Sequence, residues 1–107
     1  MRVLYIEDCA SDVDLVRRAL ARSAPEFEIE VAPTLSEGVA RLTSGAPFDL
    51  LLADLSLPDG SGLEALSWVR ERELPLAVVI LTGSGDPQAA VRALKAGADD
   101  YLVKRDD

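Results

Sequence analysis

The stretch FDLLLAD at residues 48–54 decides the fold of this chain, because an almost continuous apolar run ends there in a carboxylate. A run of this kind is typical of a strand that is buried on both faces of a parallel sheet. On either side of it, apolar runs alternate with amphipathic stretches, which is the pattern of successive βα units. The sequence therefore predicts an α/β fold in which residues 48–53 form a central strand.

The remaining strands and helices are predicted by working outward from this stretch. Shorter apolar segments predict strands at residues 3–6, 27–31, 76–81 and 101–103. Capping boxes predict the starts of three intervening helices, at Ser11, Thr34 and Ser61. In the fourth helix, which Gly97 ends, the apolar spacing predicts a buried face made of Ala90, Val91 and Leu94.

Five strands and four helices restrict the topology. Right-handed crossovers place helices on both faces of a parallel sheet only if the strand order reverses once, and the order 2-1-3-4-5 does this. We therefore expect a flavodoxin-like, doubly wound five-stranded sheet without a last helix, so that the first helix lies alone on one face. Either the chain is shortened from a longer protein or a neighbouring chain covers that face.

Composition narrows the class of protein. The chain has 107 residues, which suits one domain spanning residues 1–107. Its net charge of −8 disfavours direct nucleic-acid binding, and no apolar run approaches the roughly 20 residues that cross a membrane. The single Cys9 favours a reducing compartment, for which we expect the cytoplasm. The absence of histidine removes the usual general base.

Polar residues follow four of the predicted strands, and ligands bind at the carboxyl ends of such strands. These residues are Glu7, Asp8, Asp54, Thr82 and Lys104. Two carboxylates about 4 Å apart repel by roughly 4 kcal/mol at an effective dielectric of 20, so three of them require a cation, and Mg²⁺ fits. Asp54 is then a candidate nucleophile towards phosphorus, with Lys104 neutralising charge and the Thr82 hydroxyl bonding a phosphoryl oxygen.

Each of these residues also has an ordinary structural interpretation. Acidic residues after strands often form turns or cap helices, a threonine can simply end a strand, and a lysine near a terminus is usually solvated. Their joint placement at four strand ends favours a site.

Four motifs make the chain resemble the receiver (response-regulator) domain of two-component signalling over almost its whole length. They are residues 6–8, 54–62, 81–83 and 97–104. The resemblance implies that Asp54 is a phosphoacceptor, supplied by a histidine kinase or a histidine phosphotransfer protein and controlling an output domain or partner outside this chain.

The resemblance also implies roles for the neighbouring residues. Asp8, Asp54 and the backbone carbonyl of Ser56 would hold Mg²⁺ directly, and Glu7 would do so through water. Thr82 and Tyr101 would form a switch pair, in which Tyr101 turns inward when Thr82 moves towards the phosphoryl group.

Two features depart from the family pattern. Arg105 replaces the proline that usually follows the lysine, which predicts a trans bond after Lys104 and a displaced loop, since a non-proline cis bond costs about 3–4 kcal/mol. The last helix, normally part of the dimerisation or output face, is absent, and homodimerisation is one way to cover its place.

Two other functions compete with the phosphoacceptor. A metal-dependent phosphohydrolase would need a second acid or base near Asp54, and Leu55 and Ser56 supply none. A degenerate receiver that serves only as an interaction module would not need all of the site residues that this chain retains.

Overall fold

The computed structural model describes residues 1–83 and 87–104. Within these ranges the strands and helices alternate along the chain, as the sequence predicts. In order they are β1 (Arg2–Ile6), α1 (Ala10–Ser23), β2 (Glu28–Ala32), α2 (Leu35–Thr43), β3 (Leu50–Asp54), α3 (Gly62–Glu71), β4 (Ala77–Thr82), α4 (Pro87–Lys95) and β5 (Asp100–Val103).

The five strands form one parallel sheet in the order β2-β1-β3-β4-β5, which confirms the predicted topology. The register aligns the carboxyl ends of the strands. Ile6 pairs with Ala53, Asp54 pairs with Leu81, and Thr82 pairs with Val103. Residues that follow these positions therefore meet along one edge of the sheet.

The two faces of the sheet differ in how well they are covered. The larger core contains side chains of β1, β3 and β4 packed against α2, α3 and α4. The smaller core centres on Val3, Tyr5, Leu52 and Leu81 and is covered by α1, which has no fully buried residue. On β5, Leu102 is 47% exposed. Helix α1 thus lies alone on its face, and no further helix follows β5 within the described residues.

The buried face of α4 differs from the prediction. Ala89 and Ala93 are buried, whereas Val91 and Leu94 are about half exposed, at 49% and 52%. The prediction rested on apolar spacing, which grouped Val91 and Leu94 with Ala90, and Ala90 is half-buried. Residues four apart share a helix face, and two alanines let α4 lie close to the sheet. The larger side chains of Val91 and Leu94 therefore lie on the solvent side of α4.

The helix starts follow the predicted capping boxes in two cases out of three. The Thr34 hydroxyl accepts from the Glu37 N–H, and the Ser61 hydroxyl accepts from the Leu63 N–H. In helix α1 the N-cap is Cys9, two residues before the predicted Ser11, and the Cys9 side chain makes no capping bond. Of the helices described, none is long and apolar enough to cross a membrane.

Candidate functional site

Three carboxylates meet at the carboxyl edge of the sheet, as the sequence predicts. Oxygen atoms of Glu7, Asp8 and Asp54 all lie within 4.8 Å of one another. Glu7 is 2% exposed and Asp54 is 7% exposed, while Asp8 is open to solvent. The cluster is therefore a pocket with two buried acids and one accessible acid at its mouth.

Lys104 enters this pocket from the end of β5. Its Nζ lies 2.7 Å from Glu7 Oε1, 2.7 Å from Asp12 Oδ2 and 3.4 Å from Asp54 Oδ1. The Lys104 N–H also donates to the Thr82 carbonyl, which continues the pairing of β5 with β4. The lysine thus reaches the acidic cluster. The predicted trans bond to Arg105 lies outside the described residues.

Asp12 and Tyr5 are members of the site that the sequence analysis missed. The Tyr5 hydroxyl donates to Glu7 Oε1 over 3.1 Å, and the Cys9 N–H donates to Glu7 Oε2 over 3.3 Å. Burial, followed by the charge of Glu7, raises the pKa of Tyr5, so its hydroxyl remains a donor. An acid in the first turn of a helix is normally a partner of the helix dipole, and a tyrosine inside a strand is normally core, so neither position suggested the site.

The pocket holds more carboxylates than ammonium groups, and this affects their pKa values. Burial, and then the negative charge of Glu7, raise the pKa of Asp54 to about 6, although Lys104 acts in the opposite direction. Burial alone would lower the pKa of Lys104, but its hydrogen bonds to Asp12 and Glu7 outweigh burial and raise it. One ammonium therefore does not offset the surrounding carboxylates.

This donor set fits a magnesium ion. Mg²⁺ prefers carboxylate, carbonyl and water oxygens and normally uses only one or two carboxylates. Asp8 is accessible and Asp54 is adjacent to it, while the two Glu7 oxygens already accept hydrogen bonds from three donors. Ser56 lies two residues beyond Asp54, in the exposed loop that leads to α3. Its carbonyl stays a predicted ligand.

Close packing fixes the backbone around Asp54. A Cβ at Gly62, the first residue of α3, would lie 2.5 Å from the Asp54 carbonyl oxygen, so only glycine fits. The intervening loop is tied to α2, because the carboxylate of Asp59 accepts from the N–H groups of Leu35 and Ser36. These bonds lower the pKa of Asp59.

The two predicted switch residues lie on neighbouring strands. Thr82 is 5% exposed at the end of β4, one residue beyond the Leu81 that pairs with Asp54. Tyr101 pairs with Ile80 and packs against the larger core. Its hydroxyl is buried and has no hydrogen-bond partner in residues 1–83 and 87–104. Their roles as a switch pair stay a prediction.

Parallel α/β domains of the flavodoxin-like type carry their functional residues outside the carboxyl ends of the strands, where this acidic pocket lies. Within that class, the chain belongs to the response regulator receiver domain family, whose sequence profile matches residues 3–107. The chain is therefore a receiver domain of the kind found in two-component response regulators, which act as signalling switches. The identification made from the sequence is confirmed.

Individual relatives agree with this assignment. The chain is 43% identical over 105 residues to the photosynthetic apparatus regulatory protein RegA of Rhodobacter capsulatus, an alignment that covers 98% of this chain and 55% of RegA. It spans about half the length of this and another curated relative.

Solved structures give the same assignment. A CheY-like response regulator receiver domain protein from Methanospirillum hungatei JF-1 superimposes with a TM-score of 0.82 at 30% identity, covering 99% of this chain and 82% of that one. The response regulator protein TrrA from Thermotoga maritima, solved in complex with Mg²⁺-BeF, has a TM-score of 0.82 at 27% identity, covering 97% of this chain and 86% of that one.

Proposed function

We propose that Asp54 accepts a phosphoryl group from a phosphohistidine and that this transfer switches a partner or an output domain. The observation that carries the proposal is the position of Asp54. It is a buried carboxylate at the end of β3, within 4.8 Å of two other acids and 3.4 Å from the Lys104 ammonium. On this proposal, residues 1–107 act as one receiver domain, in the cytoplasm, with a histidine kinase or phosphotransfer protein as donor.

A carboxylate oxygen of Asp54 attacks phosphorus while the P–N bond of the donor breaks, and its electron pair leaves with the imidazole, which takes up a proton. An acyl phosphate results. Asp54 must be ionised for this attack, and a pKa of about 6 leaves it mostly ionised at neutral pH. Lys104 supplies positive charge beside the transferring group, and the Thr82 hydroxyl bonds one of its oxygens.

Mg²⁺, when bound, neutralises charge on the phosphoryl group and on the acids around it. Asp8, Asp54 and the Ser56 carbonyl would hold it directly, and Glu7 would do so through water. The structure of TrrA in complex with Mg²⁺-BeF supports magnesium binding by a domain of this fold. Asp54 would hold the ion with one carboxylate oxygen and use the other to attack phosphorus.

The competing functions fit the site less well. Fast hydrolysis would need an acid or base that is free to activate water. Leu55 and Ser56, directly after Asp54, supply none. Glu7 already accepts from three donors, and Asp8 is the expected metal ligand. A protein module used only for interaction does not need a partly buried lysine held beside a buried aspartate.

Intact mass spectrometry tests the proposal. The chain is incubated with acetyl phosphate and Mg²⁺, beside an Asp54→Asn variant and a sample with chelator. We expect one added phosphoryl group in the wild-type sample and none in either control. No added mass in any sample would favour an interaction-only module, and continuous turnover of phosphate esters would indicate a phosphohydrolase.

A further inference from the structure

The ammonium of Lys104 is held on two sides. An ammonium has three N–H donors, and two of them bond to Glu7 and Asp12, at 2.7 Å each. Asp54 lies farther away, at 3.4 Å. Two of the Lys104 N–H groups are thus bonded to Glu7 and Asp12, and the third can point towards Asp54.

The two anchors come from different parts of the fold. Glu7 follows β1 and is itself held by the hydroxyl of Tyr5, which is completely buried. Asp12 lies in the first turn of α1, and its side chain is only 34% exposed. The bond from Lys104 to Asp12 therefore joins α1 to the segment after β5, across 92 residues of sequence.

The neighbouring acid of α1 behaves differently. Asp14 forms an exposed i,i+4 ion pair with Arg18, with side-chain exposures of 58% and 71%. Such pairs contribute little to stability. Asp12 and Asp14 thus offer the same chemical change on the same helix, one paired with the lysine and one paired with Arg18.

We propose that Asp12 is a positioning residue that holds the Lys104 ammonium, together with Glu7, so that its remaining N–H meets the phosphoryl group on Asp54. This inference rests on the proposed function. Electrostatic stabilisation of a transferring group is strongest when the charge is already in place, because no reorganisation is then needed during the reaction. Without Asp12, the flexible lysine keeps its charge but loses one of its two fixed partners.

Kinetics with matched variants test this role. Phosphorylation by acetyl phosphate with Mg²⁺ is measured for wild type, Asp12→Asn and Asp14→Asn. We expect Asp12→Asn to slow the reaction about tenfold, because the neutral amide oxygen holds the ammonium more weakly than the carboxylate does, and Asp14→Asn to leave it unchanged. A rate for Asp12→Asn equal to or above that of wild type would overturn the proposal.

A double-mutant cycle shows whether Asp12 acts through the lysine. In a Lys104→Met background, where the rate is already reduced, Asp12→Asn should cause no further loss. An equal loss in both backgrounds would mean that Asp12 acts through folding or through its own charge, and the proposal would be wrong.

A spectroscopic measurement examines the lysine without any phosphoryl transfer. The chain has two lysines, Lys95 and Lys104, so ¹⁵N-lysine labelling gives two side-chain signals, with the exposed Lys95 as internal reference. We expect slowly exchanging ammonium protons at Lys104 in wild type and Asp14→Asn, and faster exchange in Asp12→Asn. If exchange is as slow in Asp12→Asn as in wild type, Asp12 does not hold the lysine. If exchange is faster in Asp12→Asn but wild type is never phosphorylated, the proposed function fails and the contact stands.

Discussion

Replacing Gly62 by alanine tests how closely α3 must approach the strand that carries Asp54. The new Cβ would lie 2.5 Å from the Asp54 carbonyl oxygen and 3.1 Å from Ala53 Cβ. The first distance is roughly 0.9 Å shorter than an ordinary contact, and because the obstacle is backbone, either the helix start or the strand end has to move.

The expected loss of stability is about 1–3 kcal/mol, typical of overpacking in a well-packed region. Helix propensity acts the other way, but it contributes less than about 1 kcal/mol, because Gly62 is the first residue of α3. A net loss near 2 kcal/mol would lower the urea midpoint by about 1 M for a chain of this size.

Urea unfolding followed by circular dichroism measures this effect. Gly83→Ala is the matched control, because a Cβ there meets none of the described residues within 4 Å, and its free energy of unfolding should stay within about 0.5 kcal/mol of wild type. We also expect Gly62→Ala to be phosphorylated more slowly, since the Asp54 backbone is displaced. A Gly62→Ala midpoint equal to or above that of wild type would refute the close approach of α3 to β3.

Two further predictions concern stability at low pH and association. Asp99 accepts hydrogen bonds from the Val78 N–H and from Arg70, and the backbone bond in particular lowers its pKa below the ordinary 3.8. Its stabilising effect is therefore present above about pH 4 and lost as the pH falls through the lower, folded-state pKa. Asp99→Asn should be less stable than wild type at pH 7 in urea unfolding, with a difference that shrinks in acid; a difference independent of pH would contradict this. Separately, we expect the chain to self-associate, because Leu102 is exposed and α1 covers its face of the sheet incompletely. Light scattering should then give a mass that rises with concentration. A constant monomer mass would show that this face of the sheet does not drive association.

The part of the site that could be predicted from sequence is the part that parallel topology determines. Glu7 and Lys104 are 97 residues apart, yet both directly follow strands of one sheet, and the strand order brings them within 2.7 Å. The same logic brought Asp8 and Asp54 together. Once the runs of apolar residues had indicated strands, the meeting of these side chains required no knowledge of packing detail.

The part that could not be predicted depends on the orientation of helices and on side-chain contacts. Whether Asp12 faces the lysine or solvent depends on the rotation of α1 about its axis, and its apolar stripe constrains that rotation only loosely because no residue of α1 is fully buried. The face of α4 was predicted wrongly for a related reason. Apolar spacing indicated Ala90, Val91 and Leu94, whereas the packing of the helix against the sheet buries Ala89 and Ala93.

The excess of carboxylates at the site bears on the order in which a cation and a phosphoryl donor bind. Within the described residues, Lys104 is the cation that forms ion pairs with the cluster, and Glu7, Asp12 and Asp54 all lie within 3.4 Å of its ammonium. Asp8 adds a further carboxylate at the open side. A phosphoryl donor brings more negative charge to a pocket that its own lysine does not neutralise. If Asp54 is the acceptor, we expect a divalent cation to bind before the donor, because the ion lowers the net negative charge that the phosphoryl group meets at the mouth of the pocket.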